Sequence, residues 1–420
     1  MNIGFVGLGK LGLPIALAIE AKGHKVIGFD IDPKVQNILI TKKIPYREEG
    51  AQELLTNSKI KVARLYDLVV ESDIIFVAIQ TPNKEGYEGI NRTPDVMDDF
   101  DYIYLINGMK SLSYIISSLD KPKIVVIIST VLPGTFRENI KPILGDNILF
   151  CYNPFFIAMG TAIHDFLYPE FILFGVESEY AANKVESFYR TINNSRFVRM
   201  SIESAELTKM SYNTFITNKI TIANTIMELS HKIPNCNCTD VIDALKMATD
   251  RIVSTKYLNG GMGDSGGCHP KDLLSLAFLS DKLGLKYNLY KTLAKIRDSQ
   301  TEWLADLIIQ QHQETELPII ILGYTYKKKT NLTCGSCGIL LKNILLEKGI
   351  DQITMYDPYV DSFELRCVNP AIFFIGMNHD CFNPFPYKYL KDSVIIDPWR
   401  YIEDIEGINI IRVGVGGIGK

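Results

Sequence analysis

The segment Gly7-Leu8-Gly9-Lys10-Leu11-Gly12 directly follows an apolar strand over Met1–Val6 and opens an apolar helix over Leu13–Ala21. A second strand, His24–Phe29, then ends in Asp30. Glycines at this spacing allow a tight turn, close approach of a pyrophosphate and close helix–strand packing, while an acid about 20 residues on binds ribose hydroxyls. The segment therefore predicts a Rossmann dinucleotide site. The charge of Asp30 favours NAD over NADP, because a 2′-phosphate would meet it.

The alternation of strand and helix continues through the first 200 residues. Further strands are expected at Asp73–Ile79, Lys123–Ile128, Ile148–Tyr152 and Phe171–Gly175. This pattern predicts a doubly wound parallel sheet, in which ligands bind beyond the carboxyl ends of the strands. Thr81 with Pro82, Thr130 and Asn153 lie at such ends, although each of them, taken alone, is more simply explained as a turn or cap residue. The polar stretch 82–98 contains two glycines and is predicted to be a mobile loop.

The composition is that of a globular chain of two or three domains, with 420 residues, 47% hydrophobic residues and a net charge of −4. No basic bias points to nucleic acid or to an anionic membrane. The apolar runs fall short of the roughly 20 residues of a membrane span, and a strand by Ile3 leaves no room for a signal peptide. We therefore expect a cytoplasmic protein.

Its eight cysteines are expected to be reduced. Cys334-Gly-Ser-Cys337 looks like a redox or zinc half-site, but coherent zinc spacing is missing, so no metal is expected.

From Ser201 the pattern changes to helix, with long helices expected from Ser204 to about Lys232 and over Tyr290–Gln311. These predict an all-helical central domain that can also serve as a dimer face. Lys209 and Asn213 are four residues apart and share one face of the first helix. Such a pair can clamp one polar group of a ligand, although a solvated face is the plainer explanation.

A glycine-rich loop, Gly263-Asp264-Ser265-Gly266-Gly267-Cys268-His269-Pro270-Lys271-Asp272, lies within this helical region. The glycines allow a ligand or another backbone to approach the thiol closely. Pro270 suits the first turn of a helix, and a cysteine at a helix N-terminus is favoured as thiolate. Lys271 and Asp272 follow closely enough to exchange protons with the thiol or its substrate. A buried, inert cysteine is the alternative.

A second α/β unit begins with a strand at Pro318–Leu322. A helix over Gly335–Glu347 and strands at Ile353–Tyr356, Ala371–Ile375 and Ser393–Ile396 follow. This predicts a second Rossmann-like domain. Its first strand is not followed by the glycine pattern, so we expect it to bind something other than NAD. The tail Gly414–Gly419 fits that pattern, but no element follows it, and it is predicted to be a flexible end.

In order and spacing, these segments resemble the UDP-glucose/GDP-mannose dehydrogenases, the nucleotide-sugar 6-dehydrogenases, over nearly the whole chain. The matching pieces are Gly7–Gly12 with Asp30, Thr81-Pro82, Ser129-Thr130 with Pro133-Gly134-Thr135, Asn153-Pro154 with Gly160-Thr161-Ala162, Ala205-Glu206-Leu207 with Lys209 and Asn213, Asp250-Arg251-Ile252, Gly266–Asp272, Lys327 with Thr330, and Asp397 with Arg400. The resemblance implies an α/β protein with an N-terminal Rossmann NAD domain (1–200), a central all-helical dimerisation domain with the Cys loop (201–312) and a C-terminal Rossmann-like domain for the nucleotide sugar (313–420). It also implies a homodimer or a higher homo-oligomer.

The resemblance further implies a reaction. The C6 primary alcohol of a nucleotide sugar loses a hydride to NAD, and UDP-glucose is the first candidate for that sugar. The Cys268 thiolate adds to the aldehyde, a second hydride transfer gives a thioester, and water releases the uronic acid, so that a covalent thiol divides the oxidation into two steps. Lys209 and Asn213 stabilise charge on the C6 oxygen, Asp272 orients Cys268 or relays a proton, and Thr130 holds water or substrate near the nicotinamide. The other implied substrate-binding residues are Arg251, which can act across a dimer, Tyr257, Gly263, Tyr326, Lys327 and Arg400.

The chain departs from the family pattern at several positions. Phe155 stands where the family has a Glu that serves in catalysis and thioester hydrolysis, and Met159 replaces a second Glu. Cys334 stands where the family has an Arg that meets the cofactor, and Leu332 stands where the family has an Asp before that Arg. Ser265 replaces a glycine of the family's Cys loop. A phenyl ring cannot activate water and favours a drier site. The hypothesis is that hydrolysis is slow or uses another base, or that the sugar is not that of UDP-glucose.

Two other functions fit parts of the sequence. A 3-hydroxyacid dehydrogenase shares the NAD domain, a helical partner and a Lys–Asn pair at the same spacing, but lacks the Cys loop and the second Rossmann-like domain. A non-catalytic protein that binds NAD and a nucleotide sugar would account for the lost carboxylates. Loss of activity in Cys268→Ala distinguishes the first alternative, and NADH formation distinguishes the second.

Overall fold

The computed structural model describes residues 1–46, 48–82, 98–254, 260–263, 265, 280–333 and 335–414, with only some side chains of 214–231. These residues form two compact units, Met1–Lys219 and Ile220–Lys420, each with its own sheet. Most of the loop expected at 82–98, most of the Cys loop and most of the tail expected at 414–419 lie outside the described residues. None of the described helices is both long and apolar enough to cross a membrane.

The first unit contains an eight-stranded sheet in the order β3-β2-β1-β4-β5-β6-β7-β8. Its strands are β1 Asn2–Val6, β2 Lys25–Phe29, β3 Lys61–Val62, β4 Ile74–Val77, β5 Lys123–Ile127, β6 Ile148–Tyr152, β7 Phe171–Val176 and β8 Arg196–Met200. Its helices are α1 Gly12–Ala21, α2 Pro33–Thr41, α3 Ala51–Asn57, α4 Leu65–Glu71, α5 Ile103–Ser117, α6 Ala162–Leu167 and α7 Glu179–Tyr189. The predicted Rossmann fold is confirmed.

The sheet is covered on both faces, which is why its central strands read as unbroken apolar runs. All four residues of β4 are buried, as are four of the five residues of β1. Phe5 and Phe76 stack across these neighbouring strands with ring centroids 5.3 Å apart. Because α1 is buried along nearly its whole length, it is apolar all round rather than amphipathic.

The prediction of an entirely parallel sheet is wrong at one pair of strands. Strand β7 runs antiparallel to β6, with Cys151 opposite Val176 and Tyr152 opposite Gly175. The helix between them, α6, has six residues and rises about 9 Å. The chain therefore enters β7 at the end of the sheet where β6 stops, whereas a parallel pair requires a connection that crosses back over one face of the sheet.

Helices dominate the middle of the chain. Helix α8 spans Ile202–Lys232, α9 spans Cys238–Lys246 and α10 spans Leu289–Thr315. Every regular element among the described residues from 202 to 315 is a helix, which confirms the predicted change of pattern at Ser201.

The second unit carries a five-stranded, wholly parallel sheet in the order β10-β9-β11-β12-β13. Its strands are β9 Ile319–Leu322, β10 Ile353–Tyr356, β11 Ile372–Ile375, β12 Val394–Asp397 and β13 Asn409–Arg412, and helix α11 spans Cys337–Glu347. Apolar residues of α10 and α11 cover one face of this sheet.

The turn after β9 repeats the turn after β1, although the sequence pattern is missing there. The amide of Gly7 donates to Phe29 O at 2.8 Å, and the amide of Gly323 donates to Tyr356 O at 2.7 Å. Both glycines have positive φ, +96° and +86°, in the region that favours glycine. The amide after each glycine donates to the acid that follows the second strand: Leu8 to Asp30 at 2.7 Å, and Tyr324 to Asp357 at 2.8 Å. Each unit therefore contains one strand–turn–helix–strand–acid module.

Candidate active site

A cleft of about 490 Å³ lies at the carboxyl ends of β1, β2 and β4. Gly7, Gly9 and Asp30 line it, together with Asn107 and Gly108 of α5. A Cβ on Gly7 would lie 2.6 Å from Ala78 O, and one on Gly12 would lie 2.1 Å from Gly7 O, so side chains are excluded from the turn. By contrast, a Cβ on Gly9 would meet nothing within 4 Å, which leaves its backbone open to a ligand.

The carboxylate of Asp30 is held in place by the backbone. One oxygen accepts the amide hydrogen of Leu8 at 2.7 Å and the other accepts that of Asp32 at 2.9 Å. Each carboxylate oxygen can accept a further bond, and Asp30 is only half-buried. No side chain caps the start of α1, so backbone N–H groups remain there for an anion. These features fit the pyrophosphate and ribose of NAD.

The other residues of the predicted glycine segment serve in different ways. Leu8 is buried, and its side chain packs where a Cβ on Gly28 would clash with it. Leu11 is half-buried, whereas Lys10 is exposed at the start of α1. The segment thus acts chiefly through its backbone.

Hydrogen bonds join the loops that follow β4 and β5. The hydroxyl of Thr81 donates to Thr130 O at 2.7 Å, and that of Ser129 donates to Ile79 O. The carbonyl of Pro82 accepts the amide hydrogen of Asp101 at 2.8 Å. Thr81, Pro82 and Thr130 are therefore brought to one end of the sheet, as predicted.

Asn153, at the end of β6, is used within the core. Its amide donates to Leu173 O at 2.9 Å, its carbonyl oxygen accepts from the hydroxyl of Tyr189, and its side chain is buried. The Asn153 side chain therefore ties the end of β6 to β7 and α7.

Glu206 connects helix α8 to the loop after β5. It is fully buried, and its two carboxylate oxygens accept the amide hydrogens of Gly134 at 2.7 Å and Phe136 at 3.0 Å. Burial raises the pKa of the Glu206 carboxyl above its ordinary value, against the lowering effect of these two donors. Sequence reasoning matched Glu206 to a motif but assigned it no role. The available signal was the position of this acid on the buried stripe of α8, four residues after Ile202 and next to Ala205, both of which are 0% exposed.

Lys209 and Asn213 line one pocket of about 300 Å³, one turn apart on α8. Lys209 is buried, with its Nζ 5.0 Å from the centroid of the Phe156 ring, and Tyr212 contacts the same ring at 4.8 Å. No carboxylate of the described residues lies within ion-pair distance of the ammonium. Burial lowers the pKa of Lys209 below its ordinary value. The solvated-face explanation therefore does not hold for Lys209, although Asn213 is exposed.

The two positions where the family carries Glu face different surroundings. Phe155 is 9% exposed and packs against Phe166 in the core, with ring centroids 5.6 Å apart. Met159 is 58% exposed. The described carboxylates that line the pocket of Lys209 are instead Asp165 and Glu170.

Asp165 is tied into its own loop. Its Oδ2 accepts the amide hydrogen of Ala158 at 2.9 Å and the hydroxyl of Thr161 at 3.0 Å. Burial favours a higher pKa for Asp165, but these hydrogen bonds and His164 outweigh it and lower the pKa. Asp165 is therefore a poor proton acceptor at neutral pH.

In the second unit, the described part of the Cys loop packs against α10 and α11. A Cβ on Gly263 would lie 3.4 Å from Cys337 Sγ and from Gln300 Oε1. The hydroxyl oxygen of Ser265 accepts the amide hydrogen of Cys337, at the start of α11, at 3.3 Å. The serine that replaces a family glycine thus anchors the loop.

Arg400 holds three backbone carbonyls. Its Nη1 donates to Pro398 O at 2.7 Å and to Val413 O at 2.9 Å, and its Nη2 donates to Gly260 O at 2.7 Å. The guanidinium therefore fixes the backbone that leads into the Cys loop, and two of its five hydrogens remain for a substrate.

The remaining predicted substrate residues are only partly described. Arg251 and Lys327 are exposed, and Tyr326 is half-buried with its amide donating to Leu332 O at 3.0 Å. Cys268, Asp272, Tyr257 and Cys334 lie outside the described residues. No group of three or more metal-ligating side chains occurs in the described part of the chain.

Family models match most of the chain. The model of the UDP-glucose/GDP-mannose dehydrogenase family, NAD binding domain, matches residues 1–193, and that of the family's central domain matches residues 203–299. The UDP-glucose 6-dehydrogenase AglM of Haloferax volcanii is 25% identical over 97% of this chain and 99% of its own. The UDP-glucose 6-dehydrogenase of Rickettsia conorii is 27% identical over 100% of both chains. The GDP-mannose 6-dehydrogenase of Pseudomonas aeruginosa is 26% identical over 88% of this chain and 84% of its own.

Solved structures share the fold. A GDP-mannose dehydrogenase from Pseudomonas aeruginosa, solved as a ternary complex, aligns with a TM-score of 0.86 at 22% identity over 98% of this chain and 99% of its own. Together with the cleft at Asp30, the family matches identify the cofactor as NAD. The chain therefore belongs to the UDP-glucose/GDP-mannose dehydrogenase family, whose members are NAD-dependent nucleotide-sugar 6-dehydrogenases.

Proposed function

We propose that this chain oxidises the C6 primary alcohol of a nucleotide sugar to the uronic acid, with UDP-glucose as the first candidate substrate. The observation that carries the proposal is the buried ammonium of Lys209, for which the described residues supply no carboxylate. Asn213 stands one turn further along α8 at the same pocket. A buried cation without its own counterion is suited to an anion that develops during a reaction.

Lys209 and Asn213 act together on the C6 oxygen in this proposal. The ammonium stabilises the developing alkoxide, and a low-dielectric site strengthens this attraction relative to water. The Asn213 amide donates a hydrogen bond to the same oxygen. NAD, when bound, accepts the hydride, and Thr130 holds water or substrate on the side of the sheet where the cofactor cleft lies.

The covalent step rests on the family resemblance. The Cys268 thiolate adds to the aldehyde carbon, and the hemithioacetal oxygen takes up a proton. The hemithioacetal then loses its hydroxyl proton and a second hydride, for which a second molecule of NAD would be the acceptor, and water cleaves the resulting thioester to the uronic acid and the free thiol. Asp272 orients Cys268 or relays its proton, while Arg251, Tyr257, Gly263, Tyr326, Lys327 and Arg400 bind the nucleotide sugar.

A second candidate is a homologue in which the thioester is hydrolysed slowly or not at all. It is favoured by Phe155, which places a core-packed phenyl ring where the family has a carboxylate. Asp165 does not replace that carboxylate well, because its oxygens are engaged and its pKa is lowered. Membership in this family decides against a 3-hydroxyacid dehydrogenase.

The yield of NADH per sugar tests these functions. The purified chain receives excess NAD with UDP-glucose, GDP-mannose, UDP-galactose, UDP-N-acetylglucosamine or UDP-N-acetylmannosamine, one at a time, and Cys268→Ala serves as the control. Two NADH per sugar identify the substrate and show that another base serves in hydrolysis. A burst of about two NADH per active site followed by a stall identifies a trapped thioester. No NADH from any sugar, with binding retained, leaves a non-catalytic binder.

We also propose the division into domains at 1–200, 201–312 and 313–420, a cytoplasmic location and a homodimer formed through the central helices. Exposed apolar side chains on α8 and α10 support the dimer, among them Leu207, Phe215 and Trp303. Light scattering of the eluted protein tests it, because a monomeric mass at micromolar concentration excludes a stable dimer.

A further inference from the structure

A buried polar cluster lies at the carboxyl ends of β9, β10 and β11 in the second unit. His379 and Asp357 are both 0% exposed, and Thr325 is buried beside them. His379 Nε2 lies 3.1 Å from Asp357 Oδ2 and 3.1 Å from Thr325 Oγ1. Buried polar groups are costly unless they are hydrogen-bonded, so such a cluster has a definite geometry.

The hydrogen bonds assign a role to each atom. Asp357 Oδ2 accepts the amide hydrogens of Tyr324 and Thr325, both at 2.8 Å. The hydroxyl of Thr325 donates to Lys327 O at 3.2 Å, so it is an acceptor toward His379. His379 Nε2 must therefore carry the hydrogen that both neighbours receive.

His379 Nδ1 is buried and has no hydrogen-bond partner among the described residues. A buried polar atom without a partner is unusual in a folded protein. A side chain chosen only to fill this space would be apolar. The histidine is therefore retained for what its Nε2 contributes to Asp357 and Thr325.

These bonds determine the shape of the segment Tyr324–Lys327. Its first two amides are anchored on Asp357, and its Thr325 hydroxyl is bonded at both ends. The segment ends at Lys327, whose side chain is exposed. The hydrogen bonds thus link His379 to the backbone carbonyl of Lys327 through one intervening residue, Thr325.

We propose that His379 is a positioning residue for the nucleotide-sugar site: through Thr325 and Asp357 it holds Tyr324–Lys327 so that the Lys327 ammonium meets the diphosphate of the substrate. The inference rests on the proposed function, since it requires that Lys327 bind the nucleotide sugar. An ordered loop binds more tightly because less entropy is lost when the ligand arrives.

Three variants of the full chain test the inference. His379→Phe keeps a ring and removes the donor, Thr325→Val removes the acceptor, and His379→Gln restores an N–H near the position of Nε2. The matched control is His24→Phe, because His24 is also buried and bonds a threonine hydroxyl, that of Thr191, at 2.7 Å in the first unit. Isothermal titrations with UDP-glucose, GDP-mannose and NAD are combined with hydrogen exchange of the Tyr324 and Thr325 amides.

We expect His379→Phe and Thr325→Val to weaken nucleotide-sugar binding and raise its KM about tenfold, with NAD affinity and kcat within about twofold of wild type. Exchange of the two amides rises about tenfold in both variants, while His379→Gln recovers most of each effect and His24→Phe shows none. Unchanged sugar affinity in His379→Phe, or an equal loss of NAD affinity, overturns the inference alone. Wild-type protein that binds neither sugar overturns the proposed function and this inference with it. If His379→Phe does not fold, Thr325→Val and His379→Gln decide by the same criteria.

Discussion

Replacing Glu206 by alanine removes the connection between α8 and the loop after β5, and its cost can be estimated from the structure. Each hydrogen bond to a charged group contributes roughly 1.5–3 kcal/mol. The amide of Phe136 cannot regain water because this residue is 3% exposed, whereas Gly134 is half-buried and its amide can. Relief of a buried charge offsets part of the loss. We expect Glu206→Ala to lower the free energy of unfolding by about 2–4 kcal/mol.

Glu206→Gln separates the charge from the packing. The amide keeps the volume and one acceptor oxygen and avoids burying a charge, but its NH2 group faces one of the two backbone N–H donors. We therefore expect a loss of about 1–2 kcal/mol at pH 7, smaller than that of Glu206→Ala. Burial raises the pKa of Glu206 in the folded state. Stability from this group is therefore fully present below the unfolded pKa and is lost as the pH rises through the folded pKa. The wild type should lose stability relative to Glu206→Gln as the pH rises from about 4.5.

Urea unfolding followed by far-ultraviolet circular dichroism is the suitable assay. Both tryptophans, Trp303 and Trp399, lie in the second unit, so their fluorescence does not report on the loop after β5. Glu203→Gln is the control, since Glu203 lies one turn earlier on α8 and pairs with Arg137 at the surface; we expect a change below about 1 kcal/mol. If Glu206→Ala is no less stable than Glu203→Gln, the two backbone hydrogen bonds do not carry the role assigned to them.

Three further outcomes are expected. Lys209→Met should lower kcat at least about 100-fold without changing NAD affinity, and an unaltered kcat would contradict the charge role. Because burial lowers the pKa of Lys209, wild-type activity should also fall at alkaline pH with a pKa below that of free lysine. Asp30→Ala should raise the KM for NAD about tenfold and reduce the preference for NAD over NADP. Initial rates with each cofactor measure both effects. The pKa of Asp357 is lowered to about 2, because hydrogen bonds from His379 and the backbone outweigh burial. Its contribution, about 2 kcal/mol, should be present above the unfolded pKa and lost between about pH 4 and pH 2 in the wild type but not in Asp357→Asn, as followed by acid unfolding.

Local pattern was sufficient for most of the fold. The apolar runs of β1, β4 and β5 and the long periodic segments of α8 and α10 are visible in the sequence because burial dictates their composition. The two-residue strand β3 and the partly exposed edge strand β8 carry too little apolar signal to be predicted. The direction of β7 depends on the end of the sheet at which the chain re-enters it after β6, and the composition of β7 does not encode that.

The candidate site divides in the same way. Glycine spacing located the cofactor turn, because backbone conformation restricts residue type there. By contrast, the environment of Lys209 depends on Phe156 and Tyr212, and Phe156 is more than 50 residues away in the chain, so the sequence left a solvated face open. The roles of Glu206 and Ser265 arise from partners 72 residues away, and that of His379 from Asp357 and Thr325, which are 22 and 54 residues away. Only tertiary structure brings these partners together.

The two strand–turn–helix–strand–acid modules have opposite uses for the same carboxylate. In the first, Asp30 retains free acceptor capacity toward an open cleft. In the second, Asp357 is fully buried, and its Oδ2 is already engaged by His379 and by the amides of Tyr324 and Thr325. Grafting the glycines of residues 7–12 after β9 would therefore not be enough to create a second NAD site, because the carboxylate of Asp357 is buried against His379. A redesign toward two bound dinucleotides would have to begin by replacing His379.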